Sequence, residues 1–396
     1  MLELSNDQRA LRSNLRRFCS ERLEPRVRPL EAGAEPLEPF YRELSRALGL
    51  AEVAAAVVDG TPSPLEDTPP LLLTSFVMHE LSRCSPGVAL SFGATTGLFG
   101  GAVVACGTDE QRRTWGKRAL SLEVVGAWAL TEPGAGSDAF GSMQTRARPV
   151  DGGFVLNGTK TFITNAPTCD VALVQARIEG AGDGRIAGFI VPSEARGFTR
   201  GRPFHKFGMQ SSPTGELFLE EVFVPLDLVL GGVGPDGMPH DARLAIKASL
   251  GAERLGMIPM LLAMVERCLD ECTSYAKTRV QFGAPIGSYQ LVQEKLARIY
   301  ATKVILETLF LRQTEALASG RLDAISRAEA SAQKLWAAKA TVDAAMEAMQ
   351  VLGGAGYVSG SVVEMMVRDA KLFQIGGGTD DMQVLTIARD LLRGRA

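Results

Sequence analysis

Five segments carry residue types able to do chemistry. Thr131-Glu-Pro-Gly-Ala-Gly-Ser-Asp follows a strand-like run. Gly134 and Gly136 permit close backbone approach, and Thr131 and Ser137 bring hydroxyls, so the loop can bond a ring edge or phosphates. The same residues also read as an ordinary Pro-Gly turn. Phe162-Ile-Thr-Asn closes a strand. Its aromatic, with a hydroxyl two residues on, can pack against a flat ring and bond its edge, or can simply end the strand. Arg279-Val-Gln-Phe-Gly lies past a long helix. Arg279 suits a pyrophosphate and Phe282 can stack, yet an Arg before a Gly stop also complements a helix dipole. Gln350-Val-Leu-Gly-Gly-Ala-Gly-Tyr ends another helix with glycines that cap it and leave its backbone approachable. Finally, Leu250-Gly-Ala-Glu-Arg254 sets a carboxylate on a helix, where the plain reading is a solvated side chain.

Other signals are weaker. No Walker loop is present. Gly232-Val-Gly-Pro-Asp-Gly237 matches G-x-G-x-x-G literally, but Pro235 interrupts it and no βαβ unit follows, so it reads as a linker. Six cysteines and three histidines show no metal-ligand spacing; reduced thiols and no metal are expected.

These segments sit in a chain of 396 residues, enough for two or three domains and a core without staples. With 46% hydrophobic and 22% charged residues it is neither disordered nor fibrous. Its formal charge, 42 − 45 = −3, argues against nucleic acid as a partner. The N-terminus, Met-Leu-Glu-Leu-Ser-Asn-Asp-Gln-Arg, has no apolar signal core, so a cytoplasmic location is expected. Gly87 to Cys106 carries no charge, but its Gly, Ser and Thr content points to a buried helix, not a membrane span.

The texture runs α, β, α. Residues 1–122 read as helical, with Ser5 placed to cap the start, breaks near Pro25, Pro29, Pro36 and Pro39, and a loop through Asp59-Gly-Thr-Pro-Ser-Pro and Asp67-Thr-Pro-Pro. Thr108 is placed to cap a further helix. Residues 123–235 hold short β-branched and aromatic runs around 154–163, 170–178 and 216–224, read as an antiparallel β domain. Residues 236–396 read as a helical bundle, with long helices over roughly 242–276, 288–318 and 324–351. The fold class is α+β, mainly α.

Taken together, these residues, their order and their spacing resemble the acyl-CoA dehydrogenase family, from Leu4-Ser-Asn-Asp-Gln-Arg to Ile387-Ala-Arg. The resemblance is strongest in Ala129-Leu-Thr-Glu-Pro-Gly-Ala-Gly-Ser-Asp, Asn157-Gly-Thr-Lys-Thr-Phe-Ile-Thr-Asn, Arg279-Val-Gln-Phe-Gly and Arg368-Asp-Ala-Lys. It implies FAD in a cleft between the β domain and the bundle, in a homotetramer. Carried over by motif, Trp128, Leu130 and Thr131 would line the flavin with Ser137 nearby, Phe162 would pack on its ring and Thr164 would reach its polar edge. Arg279, Phe282 and Gln290, with Gln350, Gly353 and Gly354, would hold the adenosine and pyrophosphate half of a neighbouring subunit's FAD, and Thr379 would touch FAD at the start of the last helix.

The implied reaction removes two hydrogens across Cα and Cβ of an acyl thioester, leaving the 2-enoyl thioester. A carboxylate takes the α-proton while hydrogen bonds hold the thioester oxygen. Most members keep that base in a Tyr-Glu-Gly-Thr turn. Here the segment is Gly376-Gly-Gly-Thr379, and Gly377 stands at the Glu position with only its N–H to offer. In this the chain is similar to the isovaleryl and long-chain branches, which place the base in a Glu-Arg pair on the first bundle helix. Glu253 is therefore the expected base, with Ser137, Arg254 and Gly377 expected at the substrate. Gly251 replaces a usual acidic residue, and the loop from Val57 to Pro70 lacks the family's usual stretch, so a carrier-protein thioester stands beside CoA as substrate. Electrons are expected to pass to an electron-transferring flavoprotein. A flavin monooxygenase needs no carboxylate base, and Glu253 argues against that rival. An inactive scaffold is opposed by the intact cofactor motifs.

Overall fold

The computed structural model describes residues 4–65, 68–182, 184–321 and 324–394. Residues 1–3 and Asp67, part of the expected terminus and loop, lie outside them. The N-terminal helices are α1 (Asn6–Arg22), α2 (Val27–Glu31), α3 (Glu38–Leu48), α4 (Leu50–Asp59), α5 (Pro70–Cys84), α6 (Pro86–Gly93), α7 (Gly101–Cys106), α8 (Asp109–Gln111) and α9 (Lys117–Leu120). Ser5 and Thr108 start their helices through capping boxes with Gln8 and Gln111. The uncharged stretch becomes α6, a π-helical run Ala94–Gly100 and α7. By length and composition alone Pro86–Cys106 is a candidate membrane span, as is Arg243–Thr278, but most of the first window (61%) is buried inside the fold.

The middle domain is a seven-stranded sheet: β1 (Gly126–Ala129), β2 (Arg146–Val150), β3 (Gly153–Thr164), β4 (Val171–Ile178), β5 (Ile186–Pro192), β6 (Phe198–Arg200) and β7 (Thr214–Pro225). The pairs β2–β3, β3–β7, β4–β5 and β6–β7 are antiparallel, as expected. The sheet is nevertheless mixed, because β1 and β2 both run parallel to β4. They occupy successive stretches of one edge, since Ala129 pairs with Val174 and Arg146 with Arg177. The Thr131 loop is thus an excursion that leaves this edge and returns to it in the same direction.

The last domain comprises α10 (Arg243–Thr278), a hairpin of β8 (Val280–Gln281) and β9 (Ala284–Pro285), α11 (Gln290–Ala318), α12 (Arg327–Leu352), α13 (Gly354–Tyr357), α14 (Val362–Ala370) and α15 (Asp380–Leu392). Pro259 lies inside α10 and removes one helix hydrogen bond, but residues 257–265 are all buried, and that packing carries the helix through. Helices α10 and α12 run parallel: Arg254 meets Ser331 near one end, and Cys272 donates to the Ala348 carbonyl near the other. The buried face of α12 is rich in small residues, namely Ala337, Ala338, Ala344, Ala345 and Ala348, which lets the two backbones approach closely. Close packing leaves no room there for added methylenes, so Ala338→Leu should destabilise the protein by about 1–3 kcal/mol, read as a lower Tm.

Candidate active site

Two strands build the first part of the site. Beyond β1, the Leu130 carbonyl accepts from Lys160 Nζ at 3.1 Å, and the Thr131 carbonyl from the Thr161 N–H at 2.9 Å. Lys160 is wholly buried and pairs with Glu132 at 2.8 Å. The Glu132 carboxylate also accepts the N–H groups of Gln144 and Thr145, at 2.6 and 3.0 Å. One buried ion pair therefore staples both ends of the Thr131 loop to β3. Strand β3 then bulges between Lys160 and Ile163, and Phe162 takes a left-handed backbone (φ +55°). A bulge re-aims a side chain, and a left-handed non-glycine stores strain found mostly at functional sites. The result is a Phe162 ring 69% exposed, 5.5 Å from that of Phe204. Asn165 is also left-handed; buried, it anchors the strand end by donating to Ser91, Thr95 and Gly126. Leu130, Thr131, Phe162 and Thr164 are thus brought together. Trp128 is half-buried behind them, and Ser137 is exposed at the loop's outer turn.

The first turns of α10 dock on this loop. Ile246 and Leu250 pack with Leu130, Ala139 and Met143 and carry Glu253 in beside it. The Glu253 carboxylate faces Gly377: a Cβ on that glycine would lie 3.6 Å from Glu253 Cδ and 2.5 Å from Met257 Cε. Gly377 is also left-handed (φ +63°), so both space and backbone exclude a side chain there. Among the described residues Glu253 has no hydrogen-bond or ion-pair partner, and the Gly377 N–H has no acceptor. Burial pushes the Glu253 carboxyl up to about 7, against the opposing pull of Arg254 and Lys334.

Two carbonyls of the 376–378 turn are tied down. Arg254 Nε donates to Gly377 O at 3.4 Å, Gln383 Nε2 to Gly378 O at 2.8 Å and Lys334 Nζ to Gly378 O at 2.9 Å. Arg254, read from sequence as a substrate contact, is turned to this carbonyl and to Ser331. Thr379 caps α15 by accepting from the Met382 N–H at 3.3 Å.

The remaining candidates lie elsewhere. From Glu253 to Arg279 is 26 residues of continuous helix, about 39 Å at 1.5 Å per residue. Phe282 tips the β8–β9 hairpin, left-handed (φ +50°) and 97% exposed. Gln290, Gln350, Gly353 and Gly354 are exposed at the same end of the bundle, beside a groove of about 660 Å³ walled by Lys295, Arg298 and Gln350. The expected flavin-ring residues thus lie beside the start of α10, and the expected adenosine-half residues lie beyond its far end.

Sequence reasoning missed the residues behind the site. Lys160 left a signal, a lone charge inside a strand-like run; Lys334, Gln383 and Met257 left none. Since breaking a buried pair strands the other charge, Lys160→Met should cost about 3–5 kcal/mol, visible as a large fall in Tm.

Comparison with known proteins agrees along the whole chain. The family models described as acyl-CoA dehydrogenase N-terminal, middle and C-terminal domain match residues 5–123, 127–222 and 242–392. The chain is similar to the mitochondrial isovaleryl-CoA dehydrogenase of Solanum tuberosum, at 37% identity over 80% of this chain and 74% of that one. Among solved structures it is similar to butyryl-CoA dehydrogenase from Megasphaera elsdenii, with TM-score 0.89 and 28% identity over 99% of this chain and 100% of that one. A glutaryl-CoA dehydrogenase from Mycobacterium smegmatis in complex with FADH2 gives TM-score 0.86 and 25% identity, covering 99% and 96%.

Proposed function

The chain belongs to the acyl-CoA dehydrogenase family, and on that premise we propose that Glu253 is the base and the Gly377 N–H the carbonyl-binding donor of its reaction. The protein is an FAD-dependent acyl-CoA dehydrogenase, converting an acyl-CoA to its 2-enoyl-CoA. One observation carries the assignment of roles: an unpartnered carboxylate stands beside the glycine whose amide N–H is also unpartnered among the described residues. Glu253 takes the α-proton. The Gly377 N–H stabilises the charge that builds on the thioester oxygen as that proton leaves. Burial tunes the base: a carboxyl near 7 is half ionised at neutral pH and still basic enough to accept a proton from carbon.

The cofactor fits what is present. An outward aromatic on a strained bulge, beside the stapled 130–131 backbone and the Thr164 hydroxyl, suits a flat ring system. FAD, when bound, supplies the acceptor for the β-hydride. Phe162 packs on its ring, and Leu130, Thr131 and Thr164 meet its edge. Arg279, Phe282, Gln290, Gln350, Gly353 and Gly354 hold the adenosine and pyrophosphate half, reaching across from a second protomer. The 39 Å separation supports this, as does the bare Phe282 ring. The assembly is a homotetramer. Light scattering should report it, and a stable FAD-loaded monomer would refute it. Electrons leave to an electron-transferring flavoprotein, and the enzyme works in the cytoplasm, whose reducing milieu suits six free cysteines. Neither the monooxygenase nor the inactive scaffold is favoured by any feature of the site.

Two measurements test the base. Glu253→Gln should retain FAD and shape yet reduce its flavin about 10²- to 10⁴-fold more slowly in anaerobic mixing with acyl-CoA. In the wild type, kcat/KM should rise with pH through a midpoint near 7, because the base works only when ionised. A midpoint in the ordinary carboxylate range, or an unaffected Gln variant, would remove Glu253 from the reaction.

A further inference from the structure

Lys334 is fully buried on α12, and the reaction above does not use it. Its ammonium donates to the Gly378 carbonyl at 2.9 Å and to Asp380 Oδ1 at 3.1 Å. Gly378 adjoins the glycine whose N–H is to bind the thioester oxygen, and Asp380 is the first residue of α15. One cation therefore ties the middle of the bundle to the glycine turn and to the helix that follows it.

The turn needs such a tie. Gly376, Gly377 and Gly378 are consecutive, and glycine has the widest backbone freedom of any residue. With no side chain of its own to lodge, the turn is held through its backbone: the Gly376 N–H donates to the Leu372 carbonyl at 2.8 Å, and the Gly377 and Gly378 carbonyls accept from Lys334, Gln383 and Arg254. Lys334 is the one of these that also carries a full charge toward the base from another helix. The charged groups around Glu253 are Arg254 on α10, Lys334 and Arg327 on α12, and on α15 Asp380 and Asp390, which pair with the two α12 cations.

We propose that Lys334 is a positioning residue of the dehydrogenation: it anchors the 376–378 turn so that the Gly377 N–H meets the thioester oxygen, and it sets a cation beside the Glu253 carboxylate. The second half rests on Glu253 being the base. The field of Lys334 favours the ionised form of Glu253, opposing the effect of burial, and Asp380 sets an opposite charge 3.1 Å from that ammonium. Removing the ammonium and removing its counter-ion should therefore act on Glu253 with opposite signs.

The test uses FAD-loaded Lys334→Met, Lys334→Arg and Asp380→Asn proteins, with flavin reduction by saturating acyl-CoA followed anaerobically across the acid limb. In Lys334→Met the limb should move to higher pH by about half a unit or more, the usual scale for losing a nearby opposite charge. Its plateau rate, reached where Glu253 is ionised, should fall about tenfold or more, because a misplaced donor costs rate at every pH. Lys334→Arg should restore the limb. Asp380→Asn keeps the Gly378 contact, so its plateau should stay within about twofold while its limb moves to lower pH. General loosening would move both limbs the same way, and that outcome overturns the proposal. So does a Lys334→Met protein with wild-type limb and plateau. Should Lys334→Met fail to hold FAD, Asp380→Asn decides alone: a downward shift supports the proposal and an unmoved limb overturns it. Glu253→Gln, run in parallel, separates the two readings. If it reduces flavin at the wild-type rate the base assignment fails, whereas a plateau loss in Lys334→Met still supports the anchoring of the turn.

Discussion

Everything at the reaction centre depends on one desolvated carboxylate standing against one glycine. Glu253 has no cation or donor paired with it among the described residues, so it bears the cost of burial in its own ionisation. The absence of a side chain at position 377 leaves the gap beside which that carboxylate stands. Met257, one turn along the same helix, fills the space a side chain at 377 would have used. A carboxylate on α10 and a bare glycine in the turn are thus two aspects of a single packing solution.

That arrangement is held from outside. The charges nearest the centre are spent on backbone carbonyls and on each other. Lys160 and Glu132 fasten the Thr131 loop, while Lys334 and Arg254 fasten the glycine turn. Buried cations bound to carbonyls restrain backbone where glycine or an excursion from a sheet would otherwise leave it free. Phe162 is one of several left-handed non-glycine residues, and there the strained backbone turns an apolar ring outward from a strand.

The length of α10 imposes the larger organisation. One continuous helix carries Glu253 near its start and the Arg279 hairpin just past its end, about 39 Å of helix away. In the proposed assembly a second copy brings its far end to the first copy's near end, so that one FAD meets both kinds of residue. The exposed Phe282 and the open Gly353–Gly354 backbone then have partners to find. The small-residue face of α12 packs on α10 through this span, and the helix continues across Pro259.

Much of this was legible in the chain. Periodicity marked the long bundle helices, and Ser5 and Thr108 announced their caps, because caps and amphipathic repeats are local and written in adjacent residues. The motif residues of the ring-facing loop and of Glu253 were legible too, through a resemblance that spans the whole sequence. The parallel edge of β4 was not, since nothing in β1 or β2 alone says that both will lie along one neighbour in the same direction. Nor were Met257, Gln383 and Lys334, which act across gaps of 120, 5 and 44 residues to the turn they shape. A lysine in an alanine-rich helix reads as solvated until another helix closes over it. The sequence by itself determined which groups have the chemistry to act. Tertiary structure decided which of them lose their water and which backbone they hold, because burial and long-range contact belong to the fold and to no local stretch of chain.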